Sequence, residues 1–246
     1  MSGRVRQMAR VGAWAAGTVL LTGLVCEASL YVSNRLAVRR AESLLHQVQG
    51  MTIGSTTEAD VGSVVARYGG DVSRSMGRTC ESFAPRWRAQ SVRVESPVLN
   101  WIGERDFIHG THFRQFGPAQ WEVTASFAVD DQGRLACVLY GVRATVVRSD
   151  AIQLHASLTL PPPSGEATYG SAYRDIHHVQ SLGIGASSNT TTEEQRHVFD
   201  FNLGCLSRFG GCRTAAEMMP YAWADYLKHQ ETNTSSSQEA AVRHGP

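Results

Sequence analysis

Cysteines and histidines are the side chains best placed to do chemistry in this 246-residue sequence. Cys205 and Cys212 are separated by Leu-Ser-Arg-Phe-Gly-Gly, a short linker with two glycines that can fold back on itself. A disulfide between them is expected, which leaves Cys80 with Cys137 by elimination. Four cysteines allow three connectivities, and composition alone does not choose among them. Zinc is the competing chemistry for the four, but the usual close C-x2–4-C ligand pair is missing. Cys205 and Cys212 are also too far apart for a C-x-x-C redox pair. Cys26 lies in an apolar run and reads as a thiol buried in the membrane. A lipobox would need a small residue before it, and Val25 stands there.

The histidines offer a second chemistry. His109 and His112 flank Gly110-Thr111, and His177 is followed directly by His178. Folded together with an acid, these four would make a metal site or a hydrolase. Adjacent strand residues point to opposite faces, so His177 and His178 do not readily share one ion. A Gly-containing loop with two exposed imidazoles is the plainer reading of 109–112. G-x-S-x-G, H-E-x-x-H, G-x-G-x-x-G and the phosphate-loop motif are all absent, and Lys228 is the only lysine. No cofactor is implied.

The element that sets the context of all these residues is the stretch from Val11 to Val32. It carries one charge, Glu27, in a run long enough to cross about 30 Å of hydrocarbon as a helix. Glycines at 12, 17 and 23 are tolerated in such a helix. Arg4, Arg6 and Arg10 precede it without an acid, which favours an N-terminus inside the cell. The apolar run exceeds that of a cleaved signal and no good cleavage site follows, so a retained anchor is expected. The expected organisation is a cytoplasmic N-terminus (1–10), a transmembrane anchor (11–32), an extracytoplasmic domain (33–229) and a disordered tail (230–246). The tail is rich in Ser, Thr, Gln and Ala. An oxidising compartment outside the inner membrane fits an even set of cysteines.

Within the domain the patterning predicts an α+β fold around an antiparallel sheet of five to seven strands. Ala41, Leu44, Leu45 and Val48 share one helical face, so the anchor helix should run on to about Gln49. Ser55 and Glu58 suggest a capping box ahead of a helix over 56–68, with Val61, Val64, Val65 and Tyr68 buried. Ser91–Glu95 reads as a strand. Residues 121–160 read as a three-stranded meander. Its first turn, at Asp130–Gly133, pairs Asp130 with Arg134, Val129 with Leu135, Phe127 with Cys137 and Ala125 with Leu139. In the third strand Ile152, Leu154, Ala156 and Leu158 point one way and His155 the other. Residues 164–174 and 187–194 read as loops, 175–185 as a strand, and Phe199–Leu203 as another. Thr214 and Glu217 form a second capping box, and Pro220 starts a further turn of helix. The stripe Met219, Trp223, Tyr226 reads as core packing. Arg67, Arg74, Arg78, Arg86, Arg88 and Arg93, interleaved with Phe83 and Trp87, read as a solvated strand face.

The phrase MTIGSTTEADVGSVVARYGG, through Gly54, Thr56 or Thr57, Asp60 and Val61, resembles the opening helix of small envelope lipoproteins of the SmpA/BamE type. The lipobox of that family is absent here, so its tethering does not carry over. The segment FNLGCLSRFGGCRTAAEMMPYAWADYL resembles uncharacterised bacterial membrane-anchored proteins with a C-terminal Cys-(x)6-Cys and a short Pro-containing helix. That resemblance implies an architecture and no reaction.

Three of the 23 basic residues and one of the 22 acids precede residue 33, so the domain is close to neutral. General nucleic-acid binding is not expected. The expected partners are membrane lipid, through the anchor, and another envelope protein. The expected role is a non-catalytic binding or scaffolding module, with the histidine-based hydrolase or metalloenzyme as the alternative. A relay from the domain through residues 33–49 is a third reading, weakened by a cytoplasmic tail of ten residues.

Overall fold

The computed structural model describes residues 2–70, 88–99, 120–145, 151–161, 164–176, 178–208 and 211–243. Cys80, His109, His112, His177 and the arginines at 74, 78 and 86 lie outside the described residues.

Helix α1 spans Ser2–Gln49 without a break. It has two different surroundings. Residues 12–29 are all exposed, in a helix long and apolar enough to cross a membrane. From Asn34 onward one face is buried through Val38, Ala41, Leu44, Leu45 and Val48. This is the expected continuation to Gln49. The same helix is therefore both the apolar span and a core element of the domain.

Helix α2 covers Glu58–Tyr68 and buries Val61, Val64, Val65 and Tyr68 as expected. Its capping box is not Ser55 with Glu58. Thr57 is the N-cap: its hydroxyl accepts from the Asp60 amide, and the Asp60 carboxylate accepts from the Thr57 amide. These bonds from Thr57 hold the Asp60 carboxyl below its usual pKa. Capping from 57 frees Glu58 to pair with Arg88 at 2.8 Å. Gly69 ends the helix at φ 70°. Gly70 has no room for a side chain, because a Cβ there would lie 2.5 Å from the Ser91 carbonyl oxygen.

Six strands follow among the described residues: β1 Arg88–Glu95, β2 Trp121–Val129, β3 Leu135–Thr145, β4 Ala151–Thr159, β5 Tyr169–Ile176 and β6 Val179–Ser187. Their order is β1-β2-β3-β4-β6-β5, and every pair is antiparallel except β4 with β6. The expected meander is present. Its register is corrected by one residue: Val129 faces Leu135 and the Asp130 amide donates to the Arg134 carbonyl, but Phe127 faces Val138 and Ala125 faces Tyr140. A bulge between Ala128 and Val129 absorbs the extra residue. It places Phe127, Val138 and Tyr140 in the main core, and Ala128 with Cys137 in a small separate cluster.

Residues 164–187 also differ from expectation in part. Residues 164–168 are loop as expected, but 169–187 form a hairpin, because His178 takes φ 67° and reverses the chain. Histidine at positive φ is uncommon, so no glycine announced the turn. The expected loop at 187–194 contains the start of α3, Thr192–Val198, capped by a reciprocal Thr191–Glu194 box. Phe199–Leu203 is not a strand. Phe199, Phe201 and Leu203 are buried, yet the Phe201 amide bonds the Phe199 carbonyl and the Asn202 amide bonds that of Met218. A 3-10 turn over Leu203–Ser207 leads to the expected Cys205–Cys212 disulfide. Thr214 caps α4, Ala215–Met218, but the Glu217 carboxylate turns to the Arg213 amide and Arg208 instead of closing the box. Pro220 opens α5, Pro220–Arg243, as expected. The helix continues through most of the segment read as disordered; once started, each added residue gains a bond without a new nucleation cost.

The helices pack on one face of the sheet. Tyr140, fully buried, spans that layer by donating its hydroxyl to the Ala41 carbonyl at 3.2 Å and setting its ring edge-on to Phe201.

Candidate functional site

The opposite face of the sheet is polar, and its layout follows from strand alternation and register. One transverse row reads Arg93, Thr124, Gly141, His155, Gly183, Ala172 across the six strands. The row on one side reads Glu95, Glu122, Arg143, Gln153, Ser181, Arg174. On the other side lie Ser91, Ser126, Leu139, Ser157, Gly185 and Gly170. Leu139 packs there against the small cluster around Ala128 and Cys137, so that margin is covered. Arg93, Arg143, Gln153, His155, Ala172 and Arg174 are exposed.

His155 sits between two glycines. Its ring lies across Gly183, where any Cβ would overlap the imidazole. Gly141, on its other side, would bring a Cβ within 3.0 Å of the Thr124 hydroxyl, and Gly185 would do the same to Ser157. A strand glycine of this kind marks a place where another group lies close to the backbone. Although one edge of His155 is exposed, contact with the strand strips water from the ring and lowers its pKa below the usual 6.5. A neutral imidazole carries one donor and one acceptor. With Thr124, Gln153 and Ser181 beside it, the surface is equipped for hydrogen bonding to a polar partner. Arg143 stands exposed opposite Gln153, and toward the β1 edge Arg93 pairs with Glu122 at 3.1 Å. An exposed pair of this kind adds little stability.

Gly183→Ala tests this packing. The methyl group is expected to push the His155 ring into solvent, and its pKa should rise toward 6.5 in an NMR titration. In the wild type the unfolded chain binds the proton first as pH falls below 6.5, so stability falls progressively from 6.5 down to the folded pKa of His155, stays at that lower level below it, and is unaffected above 6.5. That acid-side slope should flatten in the variant. An unchanged titration would mean that the ring is not held against the strand.

The residues expected to do chemistry are not brought together here. Cys205 and Cys212 are bonded to each other and fully buried. Cys137 is also disulfide-bonded; its expected partner Cys80 is outside the described residues. Cys26 is a free thiol, exposed on the apolar span. His178 lies at the β5–β6 turn, where its carbonyl accepts from the Ala151 amide at 2.8 Å. Ala151 is four residues along β4 from His155, about 13 Å at strand spacing. Among the described residues no three His, Cys, Asp or Glu side chains are grouped to hold a metal ion. Met219 is buried, while Trp223 sets its ring edge-on to Tyr173 and Tyr226 lies tilted against both, which makes the stripe a packing feature.

Sequence reasoning placed His155 on the polar side of its strand but did not single it out. The signal was a histidine at a polar strand position in a chain with glycines at 141, 183 and 185. Only the register shows that two of these glycines flank it. Compared with known protein families, curated proteins and solved structures, the chain has no match.

Proposed function

We propose that this protein is a single-pass membrane-anchored binding module, whose domain stands outside the inner membrane and presents the polar sheet face to another envelope component. The observation that carries the reading is the unbroken α1. Its exposed apolar half and its buried half, from Asn34 to Val48, are one rigid rod. An anchor joined by a flexible linker would let the domain tumble. A continuous helix fixes which way the sheet faces relative to the bilayer, which suits a docking surface. The disulfide at Cys205–Cys212 supports an oxidising compartment.

The test is made in native membranes. Protease added to intact spheroplasts is expected to digest the domain, and alkali should not extract the anchor. A photo-crosslinking side chain at Gln153 should then give a discrete protein adduct, while the same group at exposed Glu166 should not. A protected domain would overturn the orientation, and equal labelling from both positions would overturn the docking face.

A further inference from the structure

We propose that the base of the domain holds a phosphate-bearing headgroup in a cleft between α1 and the 3-10 turn at Leu203–Ser207. The proposal deepens the membrane-anchored reading and rests on it. The cleft has a volume of about 510 Å³ and is lined by Tyr31, Arg35, Arg39 and Glu42 on one side and Ser207 and Arg208 on the other. Three guanidinium groups face one carboxylate, so the cleft attracts anions.

The three arginines are unequally committed. Arg208 pairs with Glu217 at 2.8 Å. Arg35 donates to the Tyr31 hydroxyl at 3.0 Å, which leaves most of its fork available. Arg39 has no ion-pair or hydrogen-bond partner among the described residues and is exposed. The neighbouring Arg40 shows the contrast, since it is spent on the Tyr68 carbonyl and ring. Guanidinium groups match phosphate oxygens in a two-point geometry.

Position along the helix selects the ligand. Tyr31 stands at the end of the exposed apolar run, where aromatic residues sit at the interface. Arg35 and Arg39 lie about 6 Å and 12 Å further along the axis at helical rise, the first of them within the polar headgroup layer. An anionic phospholipid of the leaflet facing the domain would bring its phosphate to the mouth of the cleft. Arg35 and Arg39 would bind it, and its acyl chains would lie along the exposed side chains below Tyr31.

The test uses the full chain reconstituted into vesicles of phosphatidylcholine alone, or of equal parts phosphatidylcholine and phosphatidylglycerol. Flotation reports insertion, and mass analysis of the repurified protein reports retained lipid. Phosphatidylglycerol is expected to be retained in preference to phosphatidylcholine. Arg35→Gln and Arg39→Gln should each reduce that preference about fivefold, with flotation unchanged. Added inorganic phosphate should not displace the lipid. Displacement by phosphate would keep the cleft as a phosphate site and assign it to a soluble phosphate compound. Equal retention of both lipids, or no effect of either substitution, would overturn this inference and leave the anchor intact. Failure of the wild type to float would overturn the membrane reading, and this inference with it.

Discussion

Asn34→Ala is expected to lower the stability of the domain by about 3 kcal/mol, the cost of leaving a buried donor and a buried acceptor unmet. Asn34 is 1% exposed. Its amide nitrogen donates to the Leu206 carbonyl at 2.9 Å, and its amide oxygen accepts from the Trp121 indole at 2.8 Å. One side chain thereby ties α1 to the 3-10 turn and to β2. Alanine removes both bonds and opens a void beside them. Leucine would restore volume but leave the same two groups unpaired, so it should not rescue the loss. Aspartate keeps the acceptor for Trp121 but turns a carboxylate oxygen toward the Leu206 carbonyl, and should also fail. In thermal unfolding of the full chain in detergent, the alanine variant should melt about 6–12 °C lower. A drop of less than 2 °C would show that apolar packing alone docks the helix. The site lies at the junction between span and domain, so this variant should also loosen the orientation that the proposed docking face requires.

Removing the disulfide has the second largest expected effect. Replacing Cys205 and Cys212 together by alanine should cost about 2.5 kcal/mol, the loop-closure entropy for a ring this short. Both sulfurs are buried, and alanine avoids placing new polar groups there. The bond closes a loop that begins in the 3-10 turn, and Leu206 of that turn accepts from Asn34. The two predictions are therefore coupled. Once the turn is released, Asn34→Ala should cost less than it does alone, because part of its partner's position is already lost. A double-mutant cycle measures that difference, and strict additivity would separate the disulfide from helix docking. Peptide mapping of protein taken from native membranes without reductant should recover Cys205 and Cys212 in one linked species. Free thiols at both positions would imply a reducing compartment and reverse the proposed topology.

The long elements were legible because their signals are local. The apolar run and the face Ala41, Leu44, Leu45, Val48 are properties of consecutive residues, and they define α1 before any contact is known. Alternation over 121–129 and 151–159 fixed which residues face the core, and His155 was correctly set opposite Leu154 and Ala156. The Cys205–Cys212 pairing was legible because chain entropy favours the nearest partner when the linker is short and glycine-rich.

Other features depended on parts of the chain that are far apart in sequence. The parallel pairing of β4 with β6 brings Gly183 beside His155, and no local pattern announces it. The bulge at Ala128 shifted the expected register by one because the turn residues fix only the first pair. His178 took a conformation usually left to glycine, which hid the β5–β6 hairpin. Phe199, Phe201 and Leu203 alternate like a strand, yet they join no strand and pack into the core between the helices and the sheet, Phe201 against Tyr140. The sequence by itself determined the membrane-length helix, the α+β class and the short disulfide, since each follows from residue type and nearby spacing. Only the tertiary structure decided the polar row through His155, the bolt at Asn34 and the arginine-lined cleft. Each joins side chains from separate elements, and only packing brings those elements within reach of one another.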